Sequence, residues 1–355
     1  CAVAVCADLR LVVFPEGERV ILPPPAGAPL GQVPAFVVPA APHPAPGAVG
    51  IVLVVGTRTG RLFSLFLRQT GQRFEAEAGP LWPTSPSQGS LLGLLKRVRR
   101  SLGGGEPDAL SAGAEAQRLA ARSVEIVAPP AGDTDALFGA LALGDRDLAF
   151  YVHPRRCASG AELLWVTSLA TLVGCGPQPQ LLAARFCQEE AEGLLLLFTG
   201  EAPPGQREAA ARYAAGDEEG EPRAALLARL AWPARGELPM SSASAESAVV
   251  VGPAPRAPQL AWGHGDGSPA SSTFLAACGP VCVAAVRVRD QRFLLATVYQ
   301  TALGLQVTEV QPVEVGILAL ALMAEGAAGR VAVITPHGLL DCPQRPLAKG
   351  GRSTA

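Results

Sequence analysis

The chain has 355 residues, which is enough for two domains that each bury a core. Its formal net charge is −2 and its 29 Lys and Arg residues are scattered, which excludes a basic field that would attract nucleic acid or an anionic membrane. No stretch reaches the ~20 consecutive apolar residues of a membrane-spanning helix, so no membrane span is predicted.

Eight cysteines stand at irregular spacings in a long, apolar chain, which indicates reduced thiols in the cytoplasm or nucleus. Cys278 and Cys282 are separated by three residues and lack a second pair that would complete a tetrahedral zinc site. No metal and no cofactor are therefore expected. The chain begins with Cys1 instead of Met, so a missing start and a removed signal peptide both stay open.

Hairpins and helices alternate in the predicted order of elements. Residues 8–24 predict a hairpin with a Pro-Glu-Gly turn, and the Pro-rich residues 23–49 predict a connector. Gly50 to Gln69 predicts a second hairpin around the turn GTRTG. Further strands are predicted at 147–153, 193–199, 248–251 and 330–335. Helices are predicted at 91–100, 112–122, 134–143, 181–192, 205–221, 224–230 and 313–324, whereas 163–173 fits a strand or a helix.

The second hairpin returns near the C-terminus. Sliding the chain by 231 positions (292 − 61 = 231) aligns Arg61 with Arg292, and the same shift aligns Gln69 with Gln300 and Thr70 with Thr301. Two copies of one module are the interpretation. The predicted fold class is α+β, with two tandem modules, 1–128 and 134–355, each a mainly antiparallel sheet with flanking helices. Val54 and Phe63 are predicted core residues.

No catalytic constellation is predicted. The loop Gly263–Ser268 (GHGDGS) crowds His, Asp and Ser on glycine backbone, which does not hold a nucleophile and its base in fixed geometry. His153 with Arg155, Arg156 and Cys157 resembles a cation-activated thiol but equally an ordinary strand end. The turn GTRTG lacks the Lys and the following helix of a phosphate loop.

The pattern VLVVGTRTGRLFSLF, with its weaker copy AAVRVRDQRFLLATVY, resembles betaherpesvirus (cytomegalovirus-type) early and tegument proteins that contain two SUKH-like modules. The second copy departs from the pattern at Gln291, where a turn glycine is expected. The resemblance implies a non-enzymatic regulatory protein that binds host or viral proteins and modulates antiviral or cell-death responses. It also implies a location in the host cytoplasm, the nucleus or the virion tegument.

Two other functions stay open. GTRTGRLFSL also resembles a blade of a β-propeller, which would make the chain a cellular scaffold subunit, although residues 160–230 look helical. A small hydrolase that uses His264 or Cys157 is the third. For a binding protein, the apolar residues of the long Pro- and Gly-rich insertions are the predicted partner contacts, and no small-molecule ligand is expected. These contacts are Phe36, Val37, Leu260 and Trp262.

Overall fold

A computed structural model describes a chain whose regular structure is nearly all β-strand. The described residues are 2–5, 10–14, 18–21, 34–71, 73–83, 120–130, 133–155, 160–174, 179–187, 193–212, 223–232, 248–255, 273–289, 292–301, 304–317, 319–325, 328–335 and 337–343. They divide into two compact units, the first ending at Ser168 and the second beginning at Leu169.

The first unit contains three antiparallel sheets, and in each sheet the strands follow one another in chain order. One sheet is β1 (Ala2–Val5), β2 (Arg10–Phe14) and β3 (Glu18–Ile21). The next is β4 (Pro34–Pro42), β5 (Gly50–Thr57), β6 (Leu62–Thr70) and β7 (Arg73–Leu81). The third is β8 (Ser123–Val127), β9 (Ala136–Leu143), β10 (Asp147–Pro154) and β11 (Glu162–Ser168).

The second unit repeats this arrangement. Its sheets are β12 (Gln180–Cys187), β13 (Gly193–Glu201), β14 (Arg223–Ala231) and β15 (Val249–Pro253); β16 (Thr273–Cys278), β17 (Val281–Arg289), β18 (Arg292–Thr301) and β19 (Gly304–Val313); and β20 (Ala319–Glu325), β21 (Ala328–Thr335) and β22 (Gly338–Pro343). Short helices α1 (Leu169–Val173) and α2 (Arg207–Ala211) and a 3-10 turn at Pro204–Gln206 accompany them.

Apolar side chains project from both faces of the middle strands, so neighbouring sheets pack face to face. In the β4–β7 sheet, Val52 and Phe66 pack towards the β8–β11 sheet, while Leu53, Phe63 and Leu65 form a second cluster on the opposite face. In the second unit the same arrangement joins the β12–β15 and β16–β19 sheets, and then the β16–β19 and β20–β22 sheets. The first strands approach one another, β4 beside β8, and β16 beside both β12 and β20.

The predicted α+β class is wrong, because the regular structure of the described residues is nearly all β-strand and the helices are short. Four segments predicted as helices are the strands β9, β12, β14 and β20. Their Ala and Leu content favours helix when taken alone. Burial on both faces removes the alternation that marks a strand, so composition misled the prediction. The predicted helices at 91–100 and 112–119 lie outside the described residues.

The predicted hairpins are confirmed. The first is β2 and β3, and the two repeated segments are β5–β6 and β17–β18, the second and third strands of their sheets. The predicted strands at 147–153 and 193–199 are β10 and β13, and residues 163–173 contain a strand followed by a helix, β11 and then α1. The predicted connector at 23–49 contains β4.

The repeat seen in the sequence is one case of a more general repetition. The same four-stranded meander also forms the β8–β11 and β12–β15 sheets, where the sequence shows no matching motif. The predicted boundaries at residues 128 and 134 fall between β8 and β9, which are paired strands of one sheet. The compact units divide between Ser168 and Leu169, and the modules 1–128 and 134–355 stay a prediction.

Replacing Phe63 by Ala should strongly destabilise the first unit. Phe63 is 1% exposed and Val54 is 0% exposed, which confirms both as core residues. Truncating a buried Phe typically costs ~3–5 kcal/mol. Urea unfolding of Phe63→Ala should show this loss, whereas Val49→Ala, at a position that is 67% exposed, should stay within ~0.5 kcal/mol of the parent. Equal midpoints for the two variants would contradict the assigned core.

Candidate functional site

The turn between β5 and β6 is held by its threonines. The Thr57 amide donates to the Arg61 carbonyl at 2.8 Å, and the Gly60 amide donates to the Thr57 carbonyl at 2.9 Å. The Arg61 amide donates to Thr57 Oγ1 at 3.0 Å, and the Thr57 and Thr59 hydroxyls are 2.9 Å apart. Side-chain hydroxyls of this kind replace backbone partners in tight turns. The GTRTG motif therefore fixes where Arg61 enters β6.

Gly60 docks this turn onto the chain that leads into β8. The Ala121 amide donates to the Gly60 carbonyl at 3.0 Å. Gly60 has φ +77°, and a Cβ at this position would lie 2.4 Å from Ala120 Cα. Both the backbone conformation and the close approach require glycine here. The turn thereby links the β4–β7 sheet to the β8–β11 sheet.

Aromatic rings fill the space between these two sheets. Trp82, which is 2% exposed, lies at the end of β7, and its amide donates to the Leu62 carbonyl at 2.8 Å. Its ring centroid is 5.4 Å from Tyr151 and 6.1 Å from His153. His153 stacks on Phe138 at 4.9 Å, and its Nδ1–H donates to the Pro154 carbonyl at 2.7 Å.

At this interface Arg61 Nε, Ser64 Oγ and Trp82 Nε1 are buried without a hydrogen-bond partner among the described residues. We call Arg61, Ser64 and Trp82 the donor cluster. Ser64 is 0% exposed on β6, between Leu62 and Phe66, whose side chains pack on this same interface. Arg61 Nη2 donates to the Trp82 carbonyl at 3.5 Å, and Arg61 forms no ion pair with any described carboxylate.

Tyr151 shows how strongly this interface is shielded from water. Burial raises the pKa of Tyr151 to about 12, and the nearby Arg61 cation opposes that rise. Burial is the larger effect, because it penalises the phenolate more than one cation stabilises it. The interface is therefore a low-dielectric environment in which hydrogen bonds to a charge are strong.

We call the fourth strands β7, β11, β15 and β19 the outer strands. Among them, β7, β15 and β19 differ in the side chains that protect the unpaired edge from pairing with another strand. On β7 the exposed residues include three charges, Arg73, Glu75 and Glu77. The strand β15 has five residues, and the Gln206 side chain covers its backbone. Gln206 Nε2 donates to the Ala248 carbonyl at 2.9 Å, and the Val250 amide donates to Gln206 Oε1 at 2.7 Å. Charges and covers of these kinds block unwanted strand pairing.

Among the described residues no side chain covers the free edge of β19, and its one charged residue, Glu309, is half-buried. The strand has ten residues and pairs only with β18, so its other edge is unpaired within the described sheets. Its inward-facing Leu305, Val307 and Val310 pack on the core of the second unit. Its exposed residues are all uncharged, and they are Gly304, Gln306, Thr308 and Pro312.

The predicted partner contacts fall in two groups. Phe36 and Val37 lie on β4 and are half-buried; Phe36 packs so closely on Gly56 that a Cβ there would be 2.1 Å from its ring. Leu260 and Trp262 lie outside the described residues, as do His264 and Cys157. Partner contact by Phe36, Val37, Leu260 and Trp262 stays a prediction.

The sequence did not identify the donor cluster or the β19 edge. Two sheets bring the donor cluster and Tyr151 to one interface, and the spacing of these four residues in the chain follows no motif. A signal for the outer strands was present, because β7 (RFEAEA) and β19 (LQVTEV) alternate between apolar and polar residues.

Metal and membrane features can be described only for part of the chain. Within the described residues, no group of three metal-ligating side chains occurs, and Cys187, Cys278 and Cys282 form no disulfide. Burial raises the pKa of Cys282 to about 12, which keeps this thiol protonated. No described helix is long and apolar enough to cross a membrane.

The described sheets define an all-β protein built from antiparallel meanders, four of four strands and two of three, and four-stranded meanders are the blades of β-propellers. The argument against a propeller, that residues 160–230 are helical, is wrong, because the described part of that range is mainly strand. No protein-family model matches the chain, and no curated protein matches it.

Solved structures that resemble this chain in part share little sequence with it. BBS1N, solved in complex with ARL6DN, is 8% identical over 89% of this chain and 80% of that chain, with a TM-score of 0.36. A lectin of Aleuria aurantia, described as a six-bladed β-propeller that recognises fucose, is 12% identical over 84% and 70%, with a TM-score of 0.35. Hydrazine synthase of Kuenenia stuttgartiensis is 8% identical over 95% and 89%, with a TM-score of 0.37.

The herpesvirus tegument and SUKH-like description is corrected by these findings. The resemblance implied α+β modules, whereas the described residues form all-β blades. The motif VLVVGTRTGRLFSLF that suggested it is the second and third strand of one blade with the turn between them. Such a hairpin is common to many antiparallel sheets and does not by itself mark a family.

Replacing Gly60 by Ala should destabilise the first unit more than replacing Gly71. Both glycines have positive φ, +77° and +66°, so alanine strains the backbone at either position. Only at Gly60 would the new Cβ also meet backbone, because nothing lies within 4 Å at Gly71. Urea unfolding should therefore give a loss of about 1 kcal/mol for Gly71→Ala and a clearly larger one for Gly60→Ala. Equal losses would show that the Gly60–Ala120 approach is not a constraint.

One of the three tyrosines should ionise late. The native pKa of Tyr151 is raised to about 12 from 10.0, so the native state retains the phenolic proton that the unfolded state releases. Its contribution to stability is present below pH 10 and is lost as pH rises towards 12. Absorbance at 295 nm should show a late step that Tyr151→Phe removes and Tyr299→Phe leaves in place. A late step that survives in Tyr151→Phe would refute the assignment.

Proposed function

We propose that this protein is a non-catalytic scaffold that binds a protein partner through an extended segment added to the β19 edge. The observation that carries the proposal is the unequal treatment of the outer strands. On β7 the exposed residues are charged, and on β15 a side chain covers the edge, whereas β19 is long, uncharged on its exposed positions and unpaired among the described strands. An edge of this kind is a template for strand addition.

The rigidity of the β16–β19 sheet supports the proposal. Val283, Ala285 and Val286 on β17 and Ala296 and Val298 on β18 are each 0% exposed, so the strands behind β19 are locked in place. A partner strand that pairs with a preformed edge loses its own conformational entropy but does not have to order the scaffold. The main chain then supplies affinity, and alternate side chains of the partner supply specificity.

The test uses peptides selected for binding to the full chain from a random 12-residue library. Selected peptides should protect the amides of residues 304–313 from hydrogen exchange. They should bind at least tenfold more weakly to Gln306→Lys/Thr308→Lys, because lysines on an edge strand oppose pairing. The matched control is Glu77→Lys, which changes an exposed residue of the outer strand β7 and should leave binding unchanged.

Backbone pairing gives a separate readout. N-methylation of alternate peptide amides should abolish binding at one set of positions and spare the other, since only every second amide of an added strand faces β19. Peptides that protect other elements, or that bind the double-lysine variant as tightly as the parent, would refute the edge as the binding site.

A further inference from the structure

The donor cluster contains buried polar atoms without hydrogen-bond partners among the described residues. In most native proteins, buried polar atoms have such partners. Arg61 Nε, Ser64 Oγ and Trp82 Nε1 are buried between the β4–β7 and β8–β11 sheets and have no hydrogen-bond partner. An unpaired buried polar group destabilises the folded state, and it does so more when it is charged. Several such atoms at one interface indicate a partner other than the described residues.

The chemistry of these atoms defines that group. A guanidinium N–H and an indole N–H donate and cannot accept, and a hydroxyl can do either. A group that pairs with Arg61 Nε and Trp82 Nε1 must therefore be an acceptor. The Arg61 guanidinium also forms no ion pair with a described carboxylate, so negative charge is favoured over a neutral acceptor.

The surroundings strengthen the same preference. Trp82, Tyr151 and Phe138 are each at most 3% exposed and surround the cluster with aromatic rings. In such a medium, a hydrogen bond from a charged donor to an anion is worth more than it is in water. Arg61 as a residue is half-buried, although its Nε atom is buried.

We propose that Arg61, Ser64 and Trp82 form a binding site for an oxyanion, a carboxylate or phosphate group, at the interface between these two sheets. The guanidinium neutralises the charge, and the indole N–H and the Ser64 hydroxyl each donate to an oxygen. This site belongs to the first unit and uses no residue of the β19 edge, so either proposal can fail without the other. The competing explanation is buried water, which also satisfies groups of this kind.

The test follows the melting temperature of the full chain against sodium formate, inorganic phosphate and sodium chloride at matched ionic strength. A ligand that binds only the native state raises stability in a saturable way. Formate or phosphate should therefore raise the melting temperature to a plateau, and chloride should not. A response to formate alone identifies a carboxylate site, and a response to phosphate alone identifies a phosphate site.

Matched variants locate the effect. In Arg61→Gln and in Trp82→Phe, which keeps an aromatic ring but removes the N–H, the oxyanion concentration at half-effect should rise at least tenfold. Arg58→Gln is the control, because Arg58 is an exposed arginine on the same turn. Circular dichroism reports whether each variant folds. If Trp82→Phe does not fold, the oxyanion concentration at half-effect is measured in Ser64→Ala, which is a smaller change.

Two results would overturn the proposal. The first is a melting temperature that responds to oxyanions no more than to chloride, which would leave water as the partner of the buried atoms. The second is an oxyanion response of equal size and midpoint in Arg61→Gln, Ser64→Ala and the parent chain, which would place the binding elsewhere.

Discussion

The second and third strands of the four-stranded sheets are buried on both faces, and the positions of the other elements depend on this burial. Leu194 to Phe198 on β13 and Val52 to Val55 on β5 are at most 1% exposed. Fully burying one such side chain contributes about 1.5–3 kcal/mol. Both faces of these middle strands therefore need apolar partners, and within each unit neighbouring sheets supply them through shared clusters of buried residues.

This double burial also decides what the sequence could reveal. Hairpins with Gly or Pro in the turn, such as GTRTG, could be predicted because turn chemistry is local. The strands RAALLARLA and ALFGALAL could not, because buried strands lose their alternation and their Ala and Leu residues favour helix. The donor cluster depends on contacts between sheets, which no local pattern encodes. The β19 edge was available as the alternation of LQVTEV, although its meaning depends on how β7 and β15 differ from it.

The two proposed sites use opposite properties of the same architecture. Packing between sheets is tight enough to exclude water, so a few unpaired hydrogen-bond donors there favour the binding of an anion. At the outer strands packing is absent on one side, so backbone groups stay available to another chain. A blade can thus recognise a small anion by its buried faces and a protein by its rim, with no change in its middle strands.

Every strand pair in the described sheets joins neighbours in the chain order, and this has a consequence for how the protein acquires its structure. Partners that are close in sequence close short loops, whose entropic cost is small. During synthesis, each meander can complete its hydrogen-bond ladder as soon as its last strand leaves the ribosome, before the following sheet exists. The faces of each new sheet then stay exposed until the next one arrives, so the order of synthesis is also the order in which the core is sealed.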